Sequence, residues 1–265
     1  MKFFTAGDVL QHAKATPTDP VTVRKGTTIN EALTIMLEND FDQLPVTSED
    51  GSEIVGAVTF KSIGRLGEAV PDQDLEELSV MGTLVSPTYV GREHNMFELF
   101  ETFAVEEFVL VGDRNDMEGI ITRYDVFYFL KEQFAPFIMI GEIERSLRRL
   151  FETTIPNLEG SIEEAFKPRA EDDPSYSVPE SIDHFNFEEY KRFMVVNQDY
   201  LPDSLQRELD FALNLLEGVR KNRNALFHFR AEIDDIDREI IEVAHSYFTS
   251  LVDGAENNIS SHQNG

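Results

Sequence analysis

Residues 219–230 place Arg220, Lys221, Arg223, His228 and Arg230 together in a chain whose formal net charge is −27. Such a basic cluster against an acidic background marks the first stretch with chemical potential. At its centre stand Arg223 and Asn224, three residues, and then His228. A guanidinium is a rigid fork of donors matched to phosphate oxygens. An imidazole titrates near neutrality and can move a proton. Together they fit a phosphodiester whose transition state gathers negative charge. On an ideal helix Arg223 and His228 point about 140° apart, whereas Asn224 and His228 share a face. That geometry predicts either a composite site across a two-fold axis or a helix break near Asn222. The alternative role for His228 is a cation on the last turn of a helix, facing the dipole.

A second set surrounds Thr122, Arg123 and Asp125, in the run Gly119-Ile120-Ile121-Thr122-Arg123-Tyr124-Asp125-Val126. A strand ending at Thr122 and a helix starting beside it form a corner where backbone N–H groups attract phosphate. Asp125 there can accept hydrogen bonds from ribose hydroxyls. Thr122 and Asp125 can equally be capping residues. An offset of 63 residues relates this run to Gly56-Ala57-Val58-Thr59, followed by Lys61 and Ser62. Ser62 occupies the place of Asp125, and a hydroxyl is the weaker partner for a diol. The strong site is therefore expected at Asp125 and a degraded one at Thr59, Lys61 and Ser62.

These residues need elements to hold them. Thr28 and Glu31 have the spacing of a capping box, opening a helix from Ile29 to about Glu38. Strands are predicted at Leu44–Val46 and Ile54–Thr59, with a helix through Leu66. The order recurs with Tyr89-Val90, a helix over Met96–Phe103, strands at Phe108–Val111 and Gly119–Thr122, and a helix over Asp125–Leu130. The second half reads as helical: Phe134 to about Thr153, with Pro136 in its first turn, then Leu205–Phe229 and Asp234–Leu251. Along the last of these, Ile236, Ile240, Val243, Ala244, Tyr247 and Leu251 are expected to face inward. A Pro- and Asp-rich loop is expected over 167–179 and a polar, disordered tail over 253–265.

The chain has 265 residues, 41% hydrophobic, with 21 Phe and no Cys, which is ample for two cores and excludes disulfides and thiolate metal sites. No carboxylate–histidine cluster suggests a metal. Acids outnumber bases 50 to 23, so neither half has the basic footprint of a duplex-DNA binder. No stretch approaches the ~20 apolar residues of a membrane span, and no secretory signal opens the chain, so a cytoplasmic location is expected. Low Lys and an acid-rich surface resemble proteins of salt-accumulating halophilic archaea, where salt screens self-repulsion.

The first half resembles a pair of cystathionine-β-synthase (CBS) domains, on Asp42-Gln43-Leu44-Pro45-Val46 and the Gly119–Val126 run. The resemblance implies repeats at 1–70 and 71–133 and a cleft for an adenine nucleotide (AMP, ADP, ATP or related). It also brings Val109 and Val111 into the nucleotide set with Thr122, Arg123, Asp125, Thr59, Lys61 and Ser62. The second half, 134–252, resembles the HEPN (higher eukaryotes and prokaryotes nucleotide-binding) domain. That likeness rests on Arg223 to His228 in the penultimate helix, on Ile140–Arg149, and on Phe187-Glu188-Glu189-Tyr190. It implies a homodimeric, metal-independent endoribonuclease, a hydrolase working through the RNA 2′-hydroxyl. Arg223, Asn224 and His228 would be catalytic, and Arg145, Arg149, Arg220 and Lys221 would contact RNA. The expected fold is α+β: a CBS pair followed by an all-α bundle, the nucleotide regulating the nuclease. The competing expectation is a nucleotide-binding module whose helical half serves dimerisation or docking, the arginines being surface ion pairs.

Overall fold

The computed structural model describes residues 4–13, 20–227 and 235–263. It divides into two compact units, Met1–Lys131 and Glu132–Gly265.

The first unit is built from two β-α-β-β-α repeats preceded by a short helix, α1 (Ala6–His12). The first repeat comprises β1 (Val23–Arg24), α2 (Ile29–Asn39), β2 (Gln43–Thr47), β3 (Ile54–Thr59) and α3 (Phe60–Ala69). The second comprises β4 (Thr88–Val90), α4 (Met96–Phe103), β5 (Phe108–Gly112), β6 (Met117–Thr122) and the start of α5 (Arg123–Thr154). Each sheet has three strands, with its first pair parallel and its second antiparallel. The parallel pair requires a crossover, which α2 and α4 supply. Both helices start in capping boxes, Thr28 with Glu31 and Asn95 with Glu98.

Neither core is contiguous in sequence. Ala6 and Val9 of α1 are fully buried among Leu99, Val109, Val111 and Ile121 of the second repeat. Val80, in a 3-10 turn after α3, is buried among Ile29, Met36, Leu44 and Val58 of the first. The exchange is symmetric, with Thr5 bridging Asn95 and Ser79 bridging Thr28. It also explains the repeated glycine. A Cβ on Gly119 would lie 2.6 Å from Leu10 Cδ1, and one on Gly56 would lie 3.2 Å from Val85 O.

The second unit is helical. It holds the rest of α5, α6 (Leu158–Asp172), α7 (Phe187–Val196), α8 (Asp203–Arg207), α9 (Leu209–Phe227) and α10 (Asp235–Gln263). Its core is aromatic at the centre: Phe151 and Phe193 have centroids 5.0 Å apart, Phe166 and Phe185 5.1 Å. Burying such rings contributes both apolar area and edge-to-face geometry.

Several elements differ from the sequence reading. The helices expected at Asp125–Leu130 and Phe134–Thr153 are one helix, α5, so Pro136 is interior rather than in a first turn. The missing N–H of Pro136 orphans the carbonyl of Glu132, four residues back. Arg238 Nη1 donates to that oxygen at 3.0 Å, which removes the reason to break the helix. Lys167 and Pro168 belong to α6 rather than to a loop. The expected Leu205–Phe229 helix is split at Glu208, between α8 and α9. On α10 the buried residues are Ile241, Ala244 and Phe248, while Ile236 and Val243 are exposed. That helix also runs beyond Leu251, to Gln263.

Candidate functional site

The repeats place Thr59 and Thr122 at equivalent corners, each ending the last strand of its sheet and capping the helix that follows. Thr59 N–H donates to Ser62 Oγ at 2.9 Å, and Ser62 N–H donates to Thr59 Oγ1 at 2.9 Å. Ser62 Oγ also donates to Thr59 O at 2.9 Å. Both residues are buried. The Ser62 hydroxyl is thus consumed by the cap.

At the second corner Thr122 N–H and Oγ1–H both donate to Asp125 Oδ2, at 2.8 and 2.7 Å. Asp125 N–H donates back to Thr122 Oγ1 at 3.2 Å. The capping role of this pair is therefore present. It uses one carboxylate oxygen; among the described residues Oδ1 has no hydrogen bond. The carboxylate is half-buried. Substituting Ser for Asp thus removes a free acceptor while keeping the cap, which is the physical content of the degraded first corner.

A cavity of about 390 Å³ lies where the two corners face one another. Gln43, Thr59 and Lys61 line it from the first repeat, and Thr122, Arg123 and Tyr124 from the second. A smaller cavity of about 150 Å³ adjoins Ser62, Arg65, Ser86 and Glu106. Asp125 lines neither of these two.

The cations at the mouth are already engaged. Lys61 Nζ lies 2.8 Å from Glu107 Oε1, and that hydrogen bond, with the lysine's charge, holds the Glu107 carboxyl below the usual carboxylate range. Arg123 Nε and Nη2 donate to Glu106 O at 3.0 and 2.8 Å. Both pairs are solvent-exposed, so an incoming phosphate could exchange with them at modest cost. Val109 and Val111, expected in the nucleotide set, are fully buried in the second core and line neither cavity. They sit mid-strand, where alternate side chains of a doubly covered sheet all turn inward.

Sequence reasoning missed Gln43, Arg65, Glu106, Glu107 and Tyr124. A usable signal existed for the acids: Glu106-Glu107 immediately precedes β5, as Asp42 immediately precedes β2.

In the helical unit, Arg223 and Asn224 lie in the penultimate turns of α9; His228 lies outside the described residues. Asn224 is exposed. Arg223 Nε is 3.8 Å from Glu144 Oε1 on α5. Asn222, fully inside, donates from Nδ2 to Asp237 O at 3.1 Å and ties α9 to α10.

The residues expected to contact RNA divide. Arg145 and Arg149 are exposed on α5. Arg220 is clamped by Glu217, Nε to Oε2 at 2.9 Å and Nη2 to Oε1 at 2.6 Å. Lys191 adds a third contact, 2.9 Å from Glu217 Oε2, and Lys221 is 3.9 Å from Oε1. Arg220 first and Lys191 second push the Glu217 carboxyl down to about 2. Arg148 lies 3.7 Å from Glu144 and 3.2 Å from Asp183.

The Phe187–Tyr190 run proves largely structural. Glu189 accepts from Asn186 N–H at 2.8 Å and Tyr176 O–H at 2.8 Å. Tyr190 is fully buried. Sequence reasoning also passed over His245, whose Nε2 lies 2.6 Å from Glu142 Oε2. Among the described residues no group of three or more acids and histidines could hold a metal ion, and no helix is long and apolar enough to cross a membrane.

The paired β-α-β-β-α repeats define a class. A CBS-domain family model matches residues 7–66. Similar solved structures include a CBS-domain protein from Agrobacterium tumefaciens, 24% identical, covering 48% of this chain and 92% of that one with a TM-score of 0.40. An uncharacterised conserved protein from Pyrococcus horikoshii is 21% identical over 48% of this chain and 93% of its own, TM-score 0.40. CBSX2 in complex with AMP is 20% identical over 49% and 97%, TM-score 0.39. No curated protein matches.

Proposed function

We propose that the chain is an adenine-nucleotide sensor whose first unit takes the nucleotide and whose helical unit carries the output. One observation carries this reading: Thr59 and Lys61 of one repeat converge with Thr122 and Arg123 of the other on a cavity of about 390 Å³. That volume falls in the usual range for small-ligand sites, about 300–1,000 Å³. Hydroxyls and two exchangeable cations line the cavity, and the Asp125 carboxylate, outside the lining, is hydrogen-bonded to the lining residue Thr122. Phosphate would displace Glu107 from Lys61, and the ribose diol would meet Asp125. The helix that Asp125 caps, α5, is also the helix that carries Glu144 toward Arg223. Ligand-dependent strain in that helix is a route to regulation, provided the nucleotide binds two states of it unequally. Calorimetric titration with AMP, ADP and ATP tests the reading. Saturable binding of at least one is expected, and heats indistinguishable from dilution for all three would refute it.

A second reading assigns the output as RNA cleavage. It is favoured by the placement of Arg223 and Asn224 on the outer side of α9 rather than in the core. On this reading Arg223 stabilises the phosphorane, His228 moves the proton, and Asn224 orients one or the other. Arg145 and Arg149, exposed on α5, would contact the RNA, and RNA would have to displace Glu217 to reach Arg220. Two copies would complete one site. The acid-rich surface suits a protein working in high salt, where phosphate contacts lose most of their affinity and stacking carries more. Cleavage of RNA in EDTA and high salt, lost in Arg223→Ala and His228→Ala, is the expected result. Equal background in all three proteins leaves the helical unit a docking or dimerisation domain.

A further inference from the structure

The cations of the two cavities in the first unit converge on one carboxylate. Lys61 and Glu107 line both cavities, so their 2.8 Å contact is a wall common to the two. Lys61 and Arg65 lie four apart on α3 and share one face of it. Arg123 reaches the same place from the second repeat, donating to the carbonyl of Glu106, the chain neighbour of Glu107. The Lys61 hydrogen bond and charge first, then the charges of Arg123 and Arg65, hold the Glu107 carboxyl below its usual range. Glu106 is placed differently: its carboxylate accepts from Thr88 Oγ1 at 3.2 Å. Three cations from two repeats around one exposed carboxylate make the surroundings of a bound anion.

We propose that Glu107 is an internal competitor for the nucleotide's phosphate and makes the site selective for a single phosphate over a polyphosphate tail. This selectivity presupposes the nucleotide reading and adds a specificity residue to it. Three cations, Lys61, Arg65 and Arg123, and three carboxylates, Asp42, Glu106 and Glu107, line the two cavities, so their formal charges cancel. A monophosphate takes the place of the displaced carboxylate, one anion for another. The displaced carboxylate stays close, because Arg123 holds the backbone beside it at Glu106. A second and a third phosphate then add charge where the described lining residues offer no further cation, and they face the retained Glu107. Gln at this position keeps the shape and removes the charge, so the discrimination should close while the cavity stays.

Magnesium-free AMP and ATP are titrated calorimetrically into full-length wild type, Glu107→Gln and Glu118→Gln. Glu118 pairs with Arg92 at 2.6 Å and lines neither cavity, so its variant carries the same charge change elsewhere. Both substituted side chains are exposed, and melting temperatures establish that each variant is folded. In wild type AMP should bind at least about tenfold tighter than ATP. In Glu107→Gln the affinity for ATP should rise at least about tenfold and that for AMP by less, so that the ratio narrows. Glu118→Gln should keep the wild-type ratio. Equal affinities for AMP and ATP in wild type, a ratio unchanged in Glu107→Gln, or one that narrows as far in Glu118→Gln would overturn the selectivity and leave the nucleotide reading standing. Heats of dilution alone, for both nucleotides in all three proteins, would refute that reading and the selectivity with it.

Discussion

Arg238 and Pro136 are linked through one oxygen: the guanidinium donates, at 3.0 Å, to the carbonyl of Glu132 that the proline leaves without its helical N–H. A buried or half-buried acceptor stripped of its partner costs about 1–3 kcal/mol. Arg238→Met should lower stability by that amount in urea unfolding. In a Pro136→Ala background the backbone N–H returns, and the same substitution should cost clearly less. Equal losses in both backgrounds would mean that Arg238 works only through the Glu132 carboxylate, 3.6 Å away.

Glu217 supplies a pH dependence. Its carboxyl is held at about 2, against an ordinary 4.5, by Arg220 and Lys191. A depressed folded-state value means stabilisation that is complete above pH 4.5 and fades as pH falls toward 2. Glu217→Gln should therefore cost about 1 kcal/mol at pH 7, the upper end for a surface network. The gap in melting temperature from wild type should close between pH 4.5 and 2, and molar salt should shrink it at any pH.

The two positive-φ glycines in the strand-to-strand turns separate conformation from crowding. Gly51 has φ 76° and a Cβ there would meet nothing within 4 Å; Gly112 has φ 102° and a Cβ would collide with Asp116 O. Gly112→Ala should destabilise by more than about 1 kcal/mol and clearly exceed Gly51→Ala in thermal unfolding. Similar losses would show that the backbone angle alone matters.

Much of the first unit was legible in the sequence because its signals are local. The Thr28–Glu31 cap, the 63-residue offset and the Gly–apolar–Thr run each lie within a few residues or one translation. What escaped depends on distant partners. Nothing near Pro136 announces Arg238, a hundred residues on, so a break was expected where α5 continues. The burial of Val9 against the second repeat and of Val80 against the first cannot be read from either half alone. The site shows the same division. The Thr122–Asp125 cap declared itself by spacing, whereas Glu107 became visible only when β5 brought it to Lys61. Arg220 looked like an RNA contact until Glu217 was seen to hold it with two hydrogen bonds.

The sharpest test separates the two roles of Asp125. Asn at this position keeps an oxygen that can accept from Thr122, so the helix cap survives, but it loses the carboxylate that a ribose diol would bind. Nucleotide affinity should be measured calorimetrically for wild type, Asp125→Asn and Ser62→Ala, with melting temperature recorded for each. The expected result is affinity at least tenfold weaker in Asp125→Asn at an almost unchanged melting temperature, and near wild-type affinity in Ser62→Ala. Undiminished affinity in Asp125→Asn would contradict the central claim and leave Asp125 a capping residue only.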